Sequence, residues 1–197
     1  MVRMQGTGKT VVLIIFLASF RLGTAVPVAG ATKVKTDVPD ARIPALSEQA
    51  RKEAALALIA FPWQNLKFEI VFMPPRRGFR AMIFPTRHRI EVYARPEDDL
   101  QLLAYDIAHE LGHAIDVTRN TSESRKKWMK SRGINPATPW FGCNRCSDYN
   151  TPAGDFAETF ALLLLGPGHF AGRIAPSPST KQIPALNSFF PEFRQKP

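Results

Sequence analysis

Residues 108–116 read AHELGHAID, and their spacing organises the chain around them. His109 and His113 are four apart, which on an α-helix puts both rings on one face, side by side. Asp106 and Asp116 fall on that face too. Leu103, Ile107, Leu111, Ile115 and Thr118 mark another face at the same period, an apolar stripe that needs a core to cover it. With Pro96 and Asp98 suited to a helix start, the pattern predicts a helix over residues 98–118. Gly112, between the histidines, leaves room for a neighbouring backbone to pass close.

Two adjacent imidazoles suit a divalent ion, zinc above all, and a catalytic zinc takes three protein ligands and a water. Glu110 follows His109 by about 100° of helical turn. That offset keeps its carboxylate off the ion and within reach of a water beside it, the position of a general base in hydrolysis. Asp116, near the turn beyond His113, is placed to accept a ring N–H and fix the imidazole's orientation. Asp106 reads as a solvated helix charge. The third ligand has to come from elsewhere.

Downstream, residues 155–165 read DFAETFALLLL, an apolar helix closed by Gly-Pro-Gly. HELGHAID followed by FAETFA resembles the gluzincin branch of the HExxH zinc metallopeptidases, of the type of the anthrax lethal factor catalytic domain. The resemblance spans about residues 90–165. It implies a zincin-like α+β domain, bound Zn2+ and hydrolysis of peptide bonds in a protein or peptide substrate. It also implies that the strand RIEVY (89–93) borders the cleft, where substrate adds as an extended strand, and that Tyr149 stabilises the oxyanion. In that branch the ligand Glu stands four residues before a second acid. Counting back four from Glu158 reaches Gly154, which has no side chain. Asp155 and Glu158, three apart, can share a helix face. Asp155 ranks first as third ligand, with Glu158 then holding His109 from behind; Glu158 itself ranks second, and His169 third. A helix cap made by Asp155 and Glu158 is the alternative without metal chemistry.

Around this centre, FEIVFM (68–73), RAMIF (80–84) and RIEVY read as strands of a small antiparallel sheet. SEQARKEAALALIA, from Ser47, predicts a capped helix, and SESRKKWMKSRG (122–133) another that stops at Gly133. The expected class is α+β, with a single domain over residues 46–170. Residues 32–45 form a lead-in, and residues 171–197, with five prolines, a loosely packed tail.

Residues 1–31 have the layout of a secretory signal peptide: a basic start, ten apolar residues (VVLIIFLASF), then small residues, with cleavage after Ala25 or Ala31. GTGKT within it lacks the first glycine of a phosphate loop, since that position is Arg3. The expectation is a secreted, extracellular, monomeric protein. Cys143 and Cys146, the only cysteines, form CNRC. Export favours a local disulfide there over a redox motif or half a zinc site.

The chain carries 26 basic and 17 acidic residues, a formal +9. Without Arg3, Lys9 and Arg21 the balance is +6, compatible with anionic cell-surface material. The basic residues are scattered and lack interleaved aromatics, which argues against nucleic acid. No apolar run is long enough to span a membrane. The sequence therefore points to a secreted zinc metallopeptidase. Two other classes stay open: a metal-containing binding or cell-surface protein on the same scaffold, and a zinc amidase acting on cell-wall peptides. The intact Glu110 argues for turnover.

Overall fold

Ser47 accepts the N–H of Ala50 and so opens α1 (Glu48–Ala57), as its sequence context predicts. The computed structural model describes residues 47–142, 147–166 and 174–195. All of these belong to the unit Ile43–Pro197. The expected signal peptide and lead-in, Cys143, Cys146 and His169 lie outside the described residues. Among the described residues, no helix is long and apolar enough to cross a membrane.

The architecture is α+β. Three strands, β1 (Glu69–Met73), β2 (Ala81–Phe84) and β3 (Arg89–Tyr93), precede the helices α2 (Leu100–Arg119), α3 (Ser122–Arg132), α4 (Pro152–Leu165) and α5 (Ile183–Asn187). The sheet is not purely antiparallel, which corrects the sequence expectation. Its order is β1-β3-β2, with β3 parallel to β1 and antiparallel to β2. Pro74 and Pro75 follow β1 directly, and the chain makes a wide loop rather than a tight hairpin. The loop leaves a gap of about two strand spacings, roughly 10 Å, into which β3 inserts. A 3-10 turn at Pro85–Arg87, finished by His88 in the left-handed region, sends the chain back from β2 into β3. β2 is therefore an edge strand and RIEVY the central one.

α2 starts one residue after Asp99, whose carboxylate accepts the N–H of Leu102 at 2.7 Å. Asp98 instead accepts the N–H of Arg95 and pairs with Arg80. From Leu103 to Asp116 every residue of α2 is buried, so a single apolar stripe is too narrow a description. Its polar residues are buried too, and both α4 and β2 pack against the helix. Thr118, expected on the stripe, is exposed. At the α2–α4 crossing, a Cβ on Gly112 would lie 2.6 Å from the Cα of Ala157. The absence of a side chain there lets the two backbones touch, as the sequence suggests.

α4 begins at Pro152, three residues earlier than the sequence pattern indicates, because Thr151 supplies the cap: its hydroxyl accepts the N–H of Gly154 at 2.9 Å. Asp155 thus sits inside the first turn and is not the capping residue.

The loosely packed tail is also corrected over the described residues 174–195. Leu186 and Phe190 are completely buried. The Trp128 ring meets Phe156, Phe189 and Phe190 at centroid distances of 4.7, 5.1 and 6.0 Å, and Arg119 pairs with Glu192. Pro184 and Pro191 stand at the starts of α5 and of a terminal 3-10 helix, where a missing N–H costs little. The prolines therefore shape this segment without loosening it. The packed body extends past residue 170.

Candidate metal centre

α2 aims Asp106, His109, Glu110, His113 and Val117 along the floor of a cleft of about 570 Å3. Its other walls come from β2, the residues just before β2, Phe141, the loop Ser147–Tyr149, Ile174 and Glu158 of α4. The close α2–α4 crossing at Gly112 and Ala157 brings Glu158 beside His109. Glu158 is almost fully buried, and its Oε2 lies 3.0 Å from His109 Nδ1. With the proton on Nδ1, that nitrogen donates to the carboxylate and the Nε2 lone pair faces the cleft.

Both histidine Nε2 atoms are buried and have no hydrogen-bond partner. They face one carboxylate: Asp148 Oδ2 is 3.7 Å from Nε2 of His109 and 3.3 Å from Nε2 of His113. The three ligand atoms lie within 4.8 Å of one another. Ligands about 2.05 Å from a tetrahedral zinc stand roughly 3.3 Å apart, close to the two observed separations. Buried nitrogen lone pairs without partners, opposite a carboxylate at ligand spacing, fit a divalent cation.

The electrostatics agree. Burial works to lower the pKa of His109, but the facing carboxylates of Asp148 and Glu158, and then the charge of Glu110, outweigh it and raise it to about 10. Asp148 shows the reciprocal effect: burial opposes ionisation, yet the two imidazoles hold its carboxyl well below the usual range. Glu110 is pushed up, chiefly by burial and further by Asp148 and Asp106, against the opposing pull of the two histidines. A pocket with this many carboxylates favours a positive charge at its centre, which a proton or a metal can supply.

Asp148 is the residue that sequence reasoning missed, and the structure explains its position through Gly154. The Asp148 carbonyl accepts from the Thr151 hydroxyl at 2.9 Å, and Asn150 turns the chain in the left-handed region. A Cβ on Gly154 would stand 2.1 Å from the Asp148 backbone oxygen and 2.8 Å from its Cβ. The bare Gly154 leaves a space, and the preceding loop folds into it. The usable signal was that glycine together with an acid six residues before it.

Asp155 does not enter the cleft, contrary to the first-ranked expectation. Its carboxylate takes Arg132 Nε and Nη2, each at 2.9 Å, and Trp128 Nε1 at 2.9 Å, so it locks α4 to α3. Asp116 is likewise redirected. It is completely buried and accepts from Arg125 at 2.9 Å, Trp140 at 2.8 Å and Asn120 at 2.9 Å, not from His113. Through Trp140 it anchors the loop that carries Asp148. Asp106 is no solvated charge: it is buried, and Arg80 reaches it with Nε at 2.9 Å. Tyr149 lines the cleft with half its surface exposed. RIEVY does not border the cleft, because β3 is flanked on both sides; the edge strand β2 does.

No family model matches the chain, and neither does any curated protein or solved structure.

Proposed function

We propose that this chain is a secreted zinc-dependent metallopeptidase. The observation that supports it most is the convergence of His109 Nε2, His113 Nε2 and Asp148 Oδ2 beside the buried Glu110 at the floor of an open cleft. His109, His113 and Asp148 would hold the ion. When bound, zinc would supply Lewis acidity, lowering the pKa of a water and polarising a substrate carbonyl.

The remaining work falls to the chain's own groups. Glu110 accepts a proton from the attacking water on its carboxylate as the water oxygen bonds to the carbonyl carbon. It then delivers that proton to the departing amine nitrogen as the C–N bond breaks. Glu158 fixes the tautomer and direction of His109. Tyr149 would offer its phenol O–H to the developing oxyanion. The free edge of β2 would take an extended substrate by strand addition.

The test is peptide hydrolysis by the full chain before and after chelation. The expected result is activity that disappears with chelator and returns with stoichiometric zinc. Hydrolysis that survives complete metal removal, or a chain that takes up no zinc, contradicts the reading.

A further inference from the structure

Four large hydrophobic residues are strongly exposed among the described residues: Phe79, Val117, Phe141 and Tyr149. All four line the cleft that holds His109 and His113. They come from three segments: Phe79 from the turn before β2, Val117 from the last turn of α2, and Phe141 and Tyr149 from the connection between α3 and α4. Scattered exposed apolar residues need no explanation, but their convergence on one concavity does. Val117 follows His113 by one turn on the same face of α2, so the apolar surface begins right beside the ligand pair.

The rings are held in place. The Arg76 guanidinium lies 4.4 Å from the Phe79 ring centroid, and that of Arg125 lies 4.9 Å from the Phe141 centroid. Arg125 is in turn fixed on Asp116. An apolar surface whose side chains are already ordered binds with less entropic cost.

The charges of the cleft narrow the occupant further. Arg80 is the one lysine or arginine among its described lining residues, and both Asp98 and Asp106 neutralise it. Asp106 is paired with Arg80, and the three other carboxylates, Glu110, Asp148 and Glu158, exceed the two charges of a bound divalent ion by one. The net +6 expected for the mature chain is therefore not expressed at the site. An acidic side chain or a polyanion would meet like charge there, whereas an uncharged, bulky one meets apolar surface.

We infer that the cleft selects neutral, extended peptide segments with a large apolar residue, of the phenylalanine, leucine or methionine kind, next to the scissile bond. Phe79, Val117 and Phe141 are the specificity-determining residues. This rests on the metallopeptidase reading and names its substrate class.

Two measurements separate the layers. First, the affinity of zinc-loaded Glu110→Gln full chain is measured for a fluorescent peptide series that varies one central residue. The expected result is that Phe or Leu at that residue binds at least about tenfold tighter than Glu or Gly, a spread that an apolar pocket can produce. Phe141→Ser and Val117→Thr, built on the same background, are expected to erase most of that preference while zinc content stays at one per chain. Equal affinity across the series, a preference for acidic peptides through Arg76, or an unchanged preference in the rim variants overturns the inference. Second, cleavage sites are mapped with the wild-type chain. Sites flanked by large apolar residues support the inference. Absence of cleavage alongside apolar-selective binding would sink the hydrolase reading and, with it, the assignment of this surface to substrate.

Discussion

On the α2–α4 side of the cleft, His109, Glu110, His113 and Glu158 are all buried. His109 is backed by Glu158, and Glu158 is placed by the backbone contact of Gly112 with Ala157. On the opposite side, Asp148 and Tyr149 are about half-exposed and sit on a loop fastened at few points: the Trp140 bond to Asp116, the Thr151 cap, and the space left by Gly154. The two sides answer to different constraints. Changes of side-chain size on the helical floor are expected to act through packing and stability, and isosteric changes there through chemistry. On the proposed reading, changes on the loop are expected to act on metal retention and substrate choice and to leave the fold standing.

The largest effect expected falls on Glu110. Glu110→Gln keeps the shape and removes the proton acceptor. Turnover is expected to drop about 100- to 10,000-fold, with zinc content and melting temperature unchanged. Steady-state kinetics beside metal analysis checks this, and near-normal turnover would break the assignment of the base.

Next comes Asp155, in the first turn of α4. Asp155→Ala leaves Arg132 and Trp128 without their shared acceptor inside the α3–α4 contact. A loss of about 3–5 kcal/mol of stability is expected, as for other broken buried pairs, read by urea unfolding. Variant molecules that remain folded should bind zinc normally. A normal melting curve with lost zinc would invert the comparison and return Asp155 to the metal.

Glu158→Gln keeps a hydrogen-bonding group against His109 but removes the charge. Zinc affinity is expected to weaken about 10- to 100-fold, the usual consequence of altering a partner behind a histidine ligand. Competition with a chromogenic chelator measures it. An unchanged affinity would mean that Glu158 serves packing alone.

A smaller effect, and a sharper probe, comes from Gly154→Ala. One methyl group would collide with the Asp148 backbone and push the loop outward. Zinc affinity should fall about tenfold while helix content by circular dichroism is retained. Gly112→Ala, the matching change on the floor, should instead cost stability first, about 1–3 kcal/mol from overpacking. Identical phenotypes for the two glycines would remove the distinction between the two sides.

What the sequence discloses follows the same division. The helix-borne residues His109, Glu110 and His113 could be placed because a 3.6-residue period fixes which side chains share a face. Gly112 was readable because a glycine between two helical ligands has few other uses. The strand segments were placed within a residue or two, but their order was not. Adjacent strands in sequence suggest a hairpin, and only the width of the 74–80 loop sends β3 between β1 and β2. Asp148 was invisible because loop residues obey no period, and its approach depends on what position 154 lacks. Asp155 and Asp116 misled for the opposite reason. Their spacing suits the site, but Arg132 and Arg125, each brought in from α3, claim their carboxylates. The aromatic tail gave the wrong impression through its prolines, which stand at helix starts.

The proposed zinc site joins His109, His113 and Asp148. It is tested most directly by measuring zinc stoichiometry and affinity for the full chain and for Asp148→Asn, with X-ray absorption at the zinc edge to count nitrogen and oxygen neighbours. One zinc per wild-type chain is expected, with two imidazole nitrogens and a carboxylate oxygen around it. Asp148→Asn is expected to remain folded but to lose more affinity than the 10- to 100-fold typical of a supporting residue. Unaltered zinc binding and an unaltered absorption spectrum in Asp148→Asn would contradict it.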